Sequence, residues 1–197
     1  MNKKITIIIT AIIIVMLIVF SFIFNGLGNA KNEEEISKIR NESYLDIIVN
    51  LGDYSSTSYD DEKLLDVAMQ LAEKLGLLNE SNEDENYVQY VNENDLHSII
   101  YELTGNVVEA PIEIEDFYYL YDSEHGYYFY RPASPTYFHV KEISSVKEKG
   151  STLNISCSIE KTEDYEELDL NNVKIKLTYM PENAFIKYRA DKIEIHK

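Results

Sequence analysis

Ser144 and Lys147 stand three residues apart in ISSVKEKG, the S-x-x-K spacing by which a lysine amine activates a serine nucleophile. That chemistry needs both side chains on one face at the start of a helix. The segment instead alternates like a strand, and no S-D-N or K-T-G companion occurs in the sequence. The pair is therefore expected to be inert. Asp122, Glu124 and His125 share the turn DSEHG and could hold a cation, but polar turn residues are more often simply solvated. The acidic stretch NESNEDEN (79–86) lacks the alternating ligands and central Gly of a calcium loop. His97, His125, His139 and His196 are scattered, with no pair at helical or turn spacing. Cys157, the single cysteine, alternates with Leu153, Ile155 and Ile159 and reads as a small buried apolar residue. Gly-rich phosphate loops, HExxH, CxxC and GxSxG are all absent from the sequence. No catalytic, metal or cofactor residue is assigned, and a non-enzymatic protein is expected.

The strongest remaining signal is aromatic. In DFYYLYDSEHGYYFYRP (116–132), a hairpin pairing Tyr121 with Tyr127 across a five-residue DSEHG loop sends successive side chains to opposite faces. Phe117, Tyr119, Tyr121, Tyr127 and Phe129 then share one face, and Tyr118, Leu120, Tyr128 and Tyr130 the other. Helices cover one face of such a hairpin; the second must be covered by another element or stay wet. Tyrosine suits a wet site, because its ring buries while its hydroxyl stays hydrated. The candidate binding face is accordingly Tyr118, Tyr119, Tyr121, Tyr127, Tyr128 and Tyr130. The plain structural reading is that cross-strand aromatic pairs stabilise the hairpin.

Those residues need elements to position them. NEEEISKIRNESYLDIIVNLG (32–52) predicts one helix, with Tyr44, Ile47, Ile48 and Leu51 on a stripe, acids in the first turn and Gly52 at the end. A second helix runs through Leu64, Leu65, Val67, Ala68, Leu71, Ala72 and Leu75, capped by Ser58 or Asp60 and closed by Gly76. The third carries Leu96, Ile99, Ile100 and Leu103, with Asn92 and Asp95 as a capping box and Gly105 at its end. From 136 on, the period falls to two. TYFHVKEISSVKEKG, STLNISCSIEK, NNVKIKLTYM and AFIKYRADKIEIH each present one apolar and one polar face. A phase shift between Ala190 and Ile193 predicts a bulge near Asp191, and Lys149-Gly150 and Pro181-Glu182-Asn183 predict turns. The fold class is α+β: about three amphipathic helices, then an antiparallel meander of four or more strands whose inner side the helices cover.

Ahead of this domain, Ile5 to Phe24 carries no charge, Gly or Pro. Twenty residues at ~1.5 Å each span a bilayer's hydrocarbon core, longer than a cleavable signal's apolar region. Cleavage near Ala30 stays open. Lys3 and Lys4 are the topology-determining charges, and they place the amino end in the cytoplasm and the rest outside. The expected divisions are a tip (1–4), a transmembrane anchor (5–24), a juxtamembrane linker (25–35) and one extracytoplasmic domain (36–197). Within that domain lie a helical part (36–105), the Tyr-rich hairpin (112–131) and the meander (136–196). Residues 31–138 hold 24 acids against six bases, whereas from 139 on eleven acids face ten bases. Net charge is −17, a poor match to phosphate backbones, so nucleic acid is excluded, and anionic lipid and wall polymers should be repelled.

The Lys-tipped anchor, short helical region, Tyr-rich hairpin and closing run of strands together resemble uncharacterised N-terminally anchored extracytoplasmic proteins of low-GC Gram-positive bacteria. The order of helices followed by a curved meander is also similar to the cystatin and nuclear-transport-factor-2-like folds. Those folds host pockets, scaffolds and inhibitors alike, so the resemblance transfers no functional residue. The expected function is a membrane-anchored protein-interaction or sensing module of the cell envelope, with an envelope protein as partner and no cofactor. Two alternatives stand beside it: a small-ligand or wall-glycan pocket with hydrolytic chemistry among its forms, and a passive structural role.

Overall fold

The structure, a computed structural model, describes residues 33–80, 89–107, 119–122, 126–129, 137–163, 166–182 and 184–196. The anchor segment 5–24, with Lys3 and Lys4, lies outside the described residues. Among those described, no helix is long and apolar enough to cross a membrane. The class is α+β, as expected from the change of period.

The expected first helix is two. Helix α1 (Glu33–Glu42) ends where the Ser43 hydroxyl donates to the Ile39 carbonyl oxygen at 2.6 Å. Tyr44 then takes a left-handed backbone (φ 50°, ψ 41°) before the short α2 (Leu45–Ile48) and a 3-10 turn (Val49–Leu51). A non-glycine residue in that conformation costs about 1–2 kcal/mol, so tertiary contacts must hold it. They come from α2. Asp46 and Asn50, one turn apart, grip the outer edge of strand β6 (Tyr137–Lys149). Val140 N donates to Asp46 Oδ1 at 3.0 Å and Phe138 N to Asn50 Oδ1 at 2.7 Å. Asn50 Nδ2 returns a bond to Phe138 O at 3.2 Å, and Arg40 Nη2 one to Val140 O at 2.8 Å. Four backbone groups on an edge strand are thus satisfied by side chains.

Helix α3 (Asp61–Lys74) starts at Asp60, whose carboxylate accepts from the backbone of Glu62 and Lys63. Its apolar residues, including Met69, are buried on a stripe wide enough to make it the central helix. Helix α4 (Glu93–Thr104) is capped by Asn92, which accepts from Asn94 N rather than from Asp95 as a capping box requires. Helix α4 packs on β9 and α3 packs on α4, and both share one core with the inner face of a five-stranded antiparallel sheet of order β1-β9-β8-β7-β6. Its members are β1 (Tyr54–Ser55), β6, β7 (Thr152–Glu163), β8 (Glu166–Tyr179) and β9 (Tyr188–Ile195). The last four form the expected meander. Leu153, Ile155, Cys157, Val173, Ile175, Leu177, Ala190 and Ile193 all point inward and are buried. The predicted bulge is present: Lys176 pairs Lys192 while Leu177 pairs Ala190, which leaves Asp191 over.

A second antiparallel sheet, of order β2-β3-β5-β4, was only half foreseen. Its hairpin, β4 (Tyr119–Asp122) and β5 (Gly126–Phe129), has Tyr121 opposite Tyr127 as expected. Asp122 also pairs with Gly126, so the connection shrinks to residues 123–125. Strands β2 (Leu78–Glu80) and β3 (Gln89–Val91) extend it, and β2 takes in the first two residues of the acidic stretch 79–86. Three-residue strands carry too little alternation to be read locally. Gly126 (φ 100°) is needed at the junction: a side chain there would collide with the Val91 carbonyl and stand 2.9 Å from Glu93 N.

Candidate functional site

Of the six tyrosines proposed as a face, Tyr118 and Tyr130 lie outside the described residues. Tyr119, Tyr127 and Tyr128 are placed by backbone register alone, the first two opposite Phe129 and Tyr121 and the third opposite Leu120 and Tyr90. Tyr121 is half-buried against the core, and its hydroxyl donates to Glu93 Oε2 at 2.8 Å. The other oxygen of Glu93 stands 3.9 Å from His97 Nε2. This side chain therefore fastens the hairpin to the first turn of α4. Glu124 and His125 of the DSEHG turn lie outside the described residues, and no group of three or more metal-ligating side chains converges among those described.

Ser144 and Lys147 lie on strand β6, not a helix, and Ser144 Oγ donates to the Ser156 carbonyl at 3.0 Å beside a register shift. Cys157 is buried, and burial pushes its thiol up to about 11, with Arg40 drawing it back and Asp46 adding to it. A neutral, inaccessible thiol is a packing group.

A further concavity lies beside the β8–β9 connection. A groove of about 560 Å³ runs between the end of α1 and the β8–β9 connection. Tyr44, Tyr179 and Phe185 give it aromatic walls, and Met180 and Pro181 complete the apolar lining. Glu42, Glu182 and Lys187 stand at its rim. Its geometry is fixed from several sides. Tyr44 is the only described residue other than glycine with positive φ. The Tyr179 and Tyr188 rings pack at 4.7 Å between centroids, tilted by 44°. Burial, with the Tyr179 phenol beside it, pushes the Tyr188 phenol up, so it stays protonated. Lys187 Nζ donates to Glu42 Oε2, tying the strand connection to α1, and lies 5.7 Å from the centre of the Tyr188 ring. Ile186 N donates to Glu102 Oε2 at 3.0 Å, which anchors the connection to α4 as well. Phe185, between these ties, is 42% exposed.

The sequence carries one local signal of this groove. The alternation that buries Ile186 and Tyr188 necessarily puts Phe185 on the outward phase. Tyr44 and Glu42 are more than 130 residues away in the chain, so their convergence is tertiary. No protein-family model, no curated protein and no solved structure matches the chain.

Proposed function

We propose that this chain is a non-enzymatic binding module, anchored by Ile5–Phe24 with its domain outside the cell, that holds an apolar segment of an envelope protein in the Tyr44–Tyr179–Phe185 groove. The observation that supports it is an exposed aromatic residue in a concavity braced from α1, α4 and β9. Its volume falls in the range of ligand sites, ~300–1,000 Å³. Tyr44, held in a costly left-handed conformation in the wall, adds to this, since such strain concentrates at functional sites. Rigid aromatics give large contact area at small entropic cost, and Met180 adapts to irregular partners. The inner face of the sheet is filled by helix side chains, which favours a rim site over a cavity inside the curve. A wall glycan is the second reading, because aromatic rings flanked by Glu42 and Glu182 also suit sugar rings and hydroxyls.

The test is photocrosslinking in intact cells from Phe185→benzoylphenylalanine, alone and combined with Tyr44→Asn, an exchange compatible with the left-handed backbone. A discrete protein adduct that disappears with Tyr44→Asn is expected; a polydisperse glycan adduct would favour the second reading. No adduct, or one indifferent to Tyr44, overturns the groove. A parallel Tyr119, Tyr128 and Tyr130→Ser variant reports on the hairpin face. Protection of the domain from an impermeant protease on intact cells would overturn the orientation.

A further inference from the structure

The outer face of the large sheet departs from the acidity of the whole chain. Lys176 of β8 is directly opposite Lys192 of β9, and Lys174 follows on the same face of β8. Asn154 and Ser156 of β7 stand opposite Lys176 and Lys174. These five, with Glu194, surround a depression of about 190 Å³. Like charges directly opposite in a sheet are destabilising, and exchanging one lysine for Thr or Glu would remove the cost. The acids nearby, Asp191 and the Glu194 that stands opposite Lys174, offset two of the three charges and leave the set cationic by one. Asp191 Oδ2 lies 3.2 Å from Lys176 Nζ, and Glu194 Oε1 lies 2.7 Å from Lys192 Nζ. Lys174 is exposed and forms no ion pair among the described residues. The hydrogen bond from Lys192, with the charges of Lys192, His196 and Lys174, holds the Glu194 carboxyl below its ordinary range. The two acids fix two amines in place, and each ammonium keeps further N–H donors.

We infer that the depression floored by Asn154 and Ser156 and walled by Lys174, Lys176 and Lys192 binds a phosphoryl group. Three cations and two neutral donors converge on a volume suited to a tetrahedral anion with several oxygens, and charge-assisted bonds to such oxygens are the strong ones. The net charge of −17 does not forbid it, because charges beyond ~8–10 Å are screened at physiological ionic strength and the local set is cationic. This site lies apart from the aromatic groove, and its fate is independent of that reading.

The experiment uses the full chain in nonionic detergent, titrated with inorganic phosphate at constant ionic strength while backbone amide shifts are followed by NMR. Saturable shifts at Asn154, Ser156, Lys174 and Lys176 are expected, with acetate at the same ionic strength giving none. Lys174→Gln with Lys176→Gln should weaken phosphate by at least about tenfold, the equivalent of one charge-assisted hydrogen bond. Lys141→Gln, which removes the partner of Asp169 elsewhere on the sheet, should leave the affinity unchanged. Non-saturating shifts, equal response to acetate, or equal affinity in the folded double variant overturns the site. If the double variant fails to fold, the phosphate-against-acetate comparison on the unaltered chain still decides. A soluble glycerol-phosphate oligomer and phosphatidylglycerol vesicles then separate the sources. Tighter binding of the oligomer assigns the site to a phosphodiester polymer, and tighter binding of vesicles to lipid headgroups. Neither exceeding phosphate assigns it to small phosphate esters.

Discussion

Three buried acidic protons mark where individual residues couple this fold to pH. The Cys157 thiol is pushed up to about 11 by burial on the inner face of the sheet. The Tyr54 phenol is pushed up to about 12, again by burial first, with the nearby Thr104 hydroxyl drawing it back. Burial drives the Tyr188 phenol up as well. Each folded value exceeds the unfolded one, so the stability from keeping these groups neutral is complete below the unfolded pKa and lost as pH climbs through the folded one. For Cys157 that window runs from 9.0 to about 11. Urea denaturation at intervals from pH 8 to 11.5 should therefore show a plateau to about pH 9 and a steady fall beyond it. A shift of this size corresponds to about 3 kcal/mol for the thiol alone, of which about 2 kcal/mol is lost between pH 9 and 11. Cys157→Ala should start lower, because it leaves a small cavity, but lose about that much less between pH 9 and 11. Parallel curves for the two proteins would show that the thiol is not the coupled group.

At the scale of elements, the decisive contact is α2 against the edge of β6. An edge strand presents unpaired N–H and C=O groups, and here Asp46 and Asn50 act as a substitute strand for Phe138 and Val140. Arg40 closes the arrangement with two 2.7 Å bonds to the Asp46 carboxylate, which raises the Arg40 pKa. Asp46→Ala removes the acceptor for Val140 N and leaves Arg40 half-exposed without its carboxylate. The expected loss is about 1–3 kcal/mol, kept moderate by solvent at the guanidinium. Asp46→Asn, which retains an acceptor oxygen, should lose less. Chemical denaturation measures both, and sedimentation should show Asp46→Ala associating through the freed edge; an alanine variant as stable and monomeric as the parent would refute the clamp. This contact also shows where sequence reading stops. The apolar stripe at Leu64–Leu75 and the alternations around Cys157 and Ile175 were legible because burial there follows a local period. The break at Tyr44 was not, since Tyr44, Ile47, Ile48 and Leu51 continue the helical stripe across it. Only the remote edge of β6 explains why the helix is interrupted so that Asp46 and Asn50 reach Val140 and Phe138. The groove was half legible, through the outward phase of Phe185, and its α1 wall was not.

Across the whole molecule, charge is segregated along the chain. Residues 31–138 contribute nearly all the excess acid, with Asp61, Glu62 and Glu73 exposed along α3 alone, whereas ten of the eighteen bases follow residue 139. Two electrostatic effects then compete. Local pairs such as Arg40 with Asp46 and Lys141 with Asp169 weaken as salt is added. Mutual repulsion among the surplus acids weakens too, and it acts against the folded state. With 35 acids and 18 bases, every base can be paired and seventeen acids still remain, so repulsion is the larger effect. Raising ionic strength from about 0.02 to 0.3 M shortens the screening length from roughly 20 to 6 Å, which removes repulsion between neighbouring helices but spares contacts under 3 Å. The midpoint of thermal unfolding should accordingly rise by several degrees over that range, equally in sodium and choline chloride. Sulfate is avoided because it stabilises through exclusion from the surface rather than by screening. A charge-neutralising variant of α3, Asp61→Asn with Glu62→Gln, should reach part of the same rise at low salt and respond less to further addition. A midpoint that falls with salt would mean that the paired contacts outweigh the surplus, and that the acid-rich part of the chain is held by its ion pairs rather than in spite of its charge.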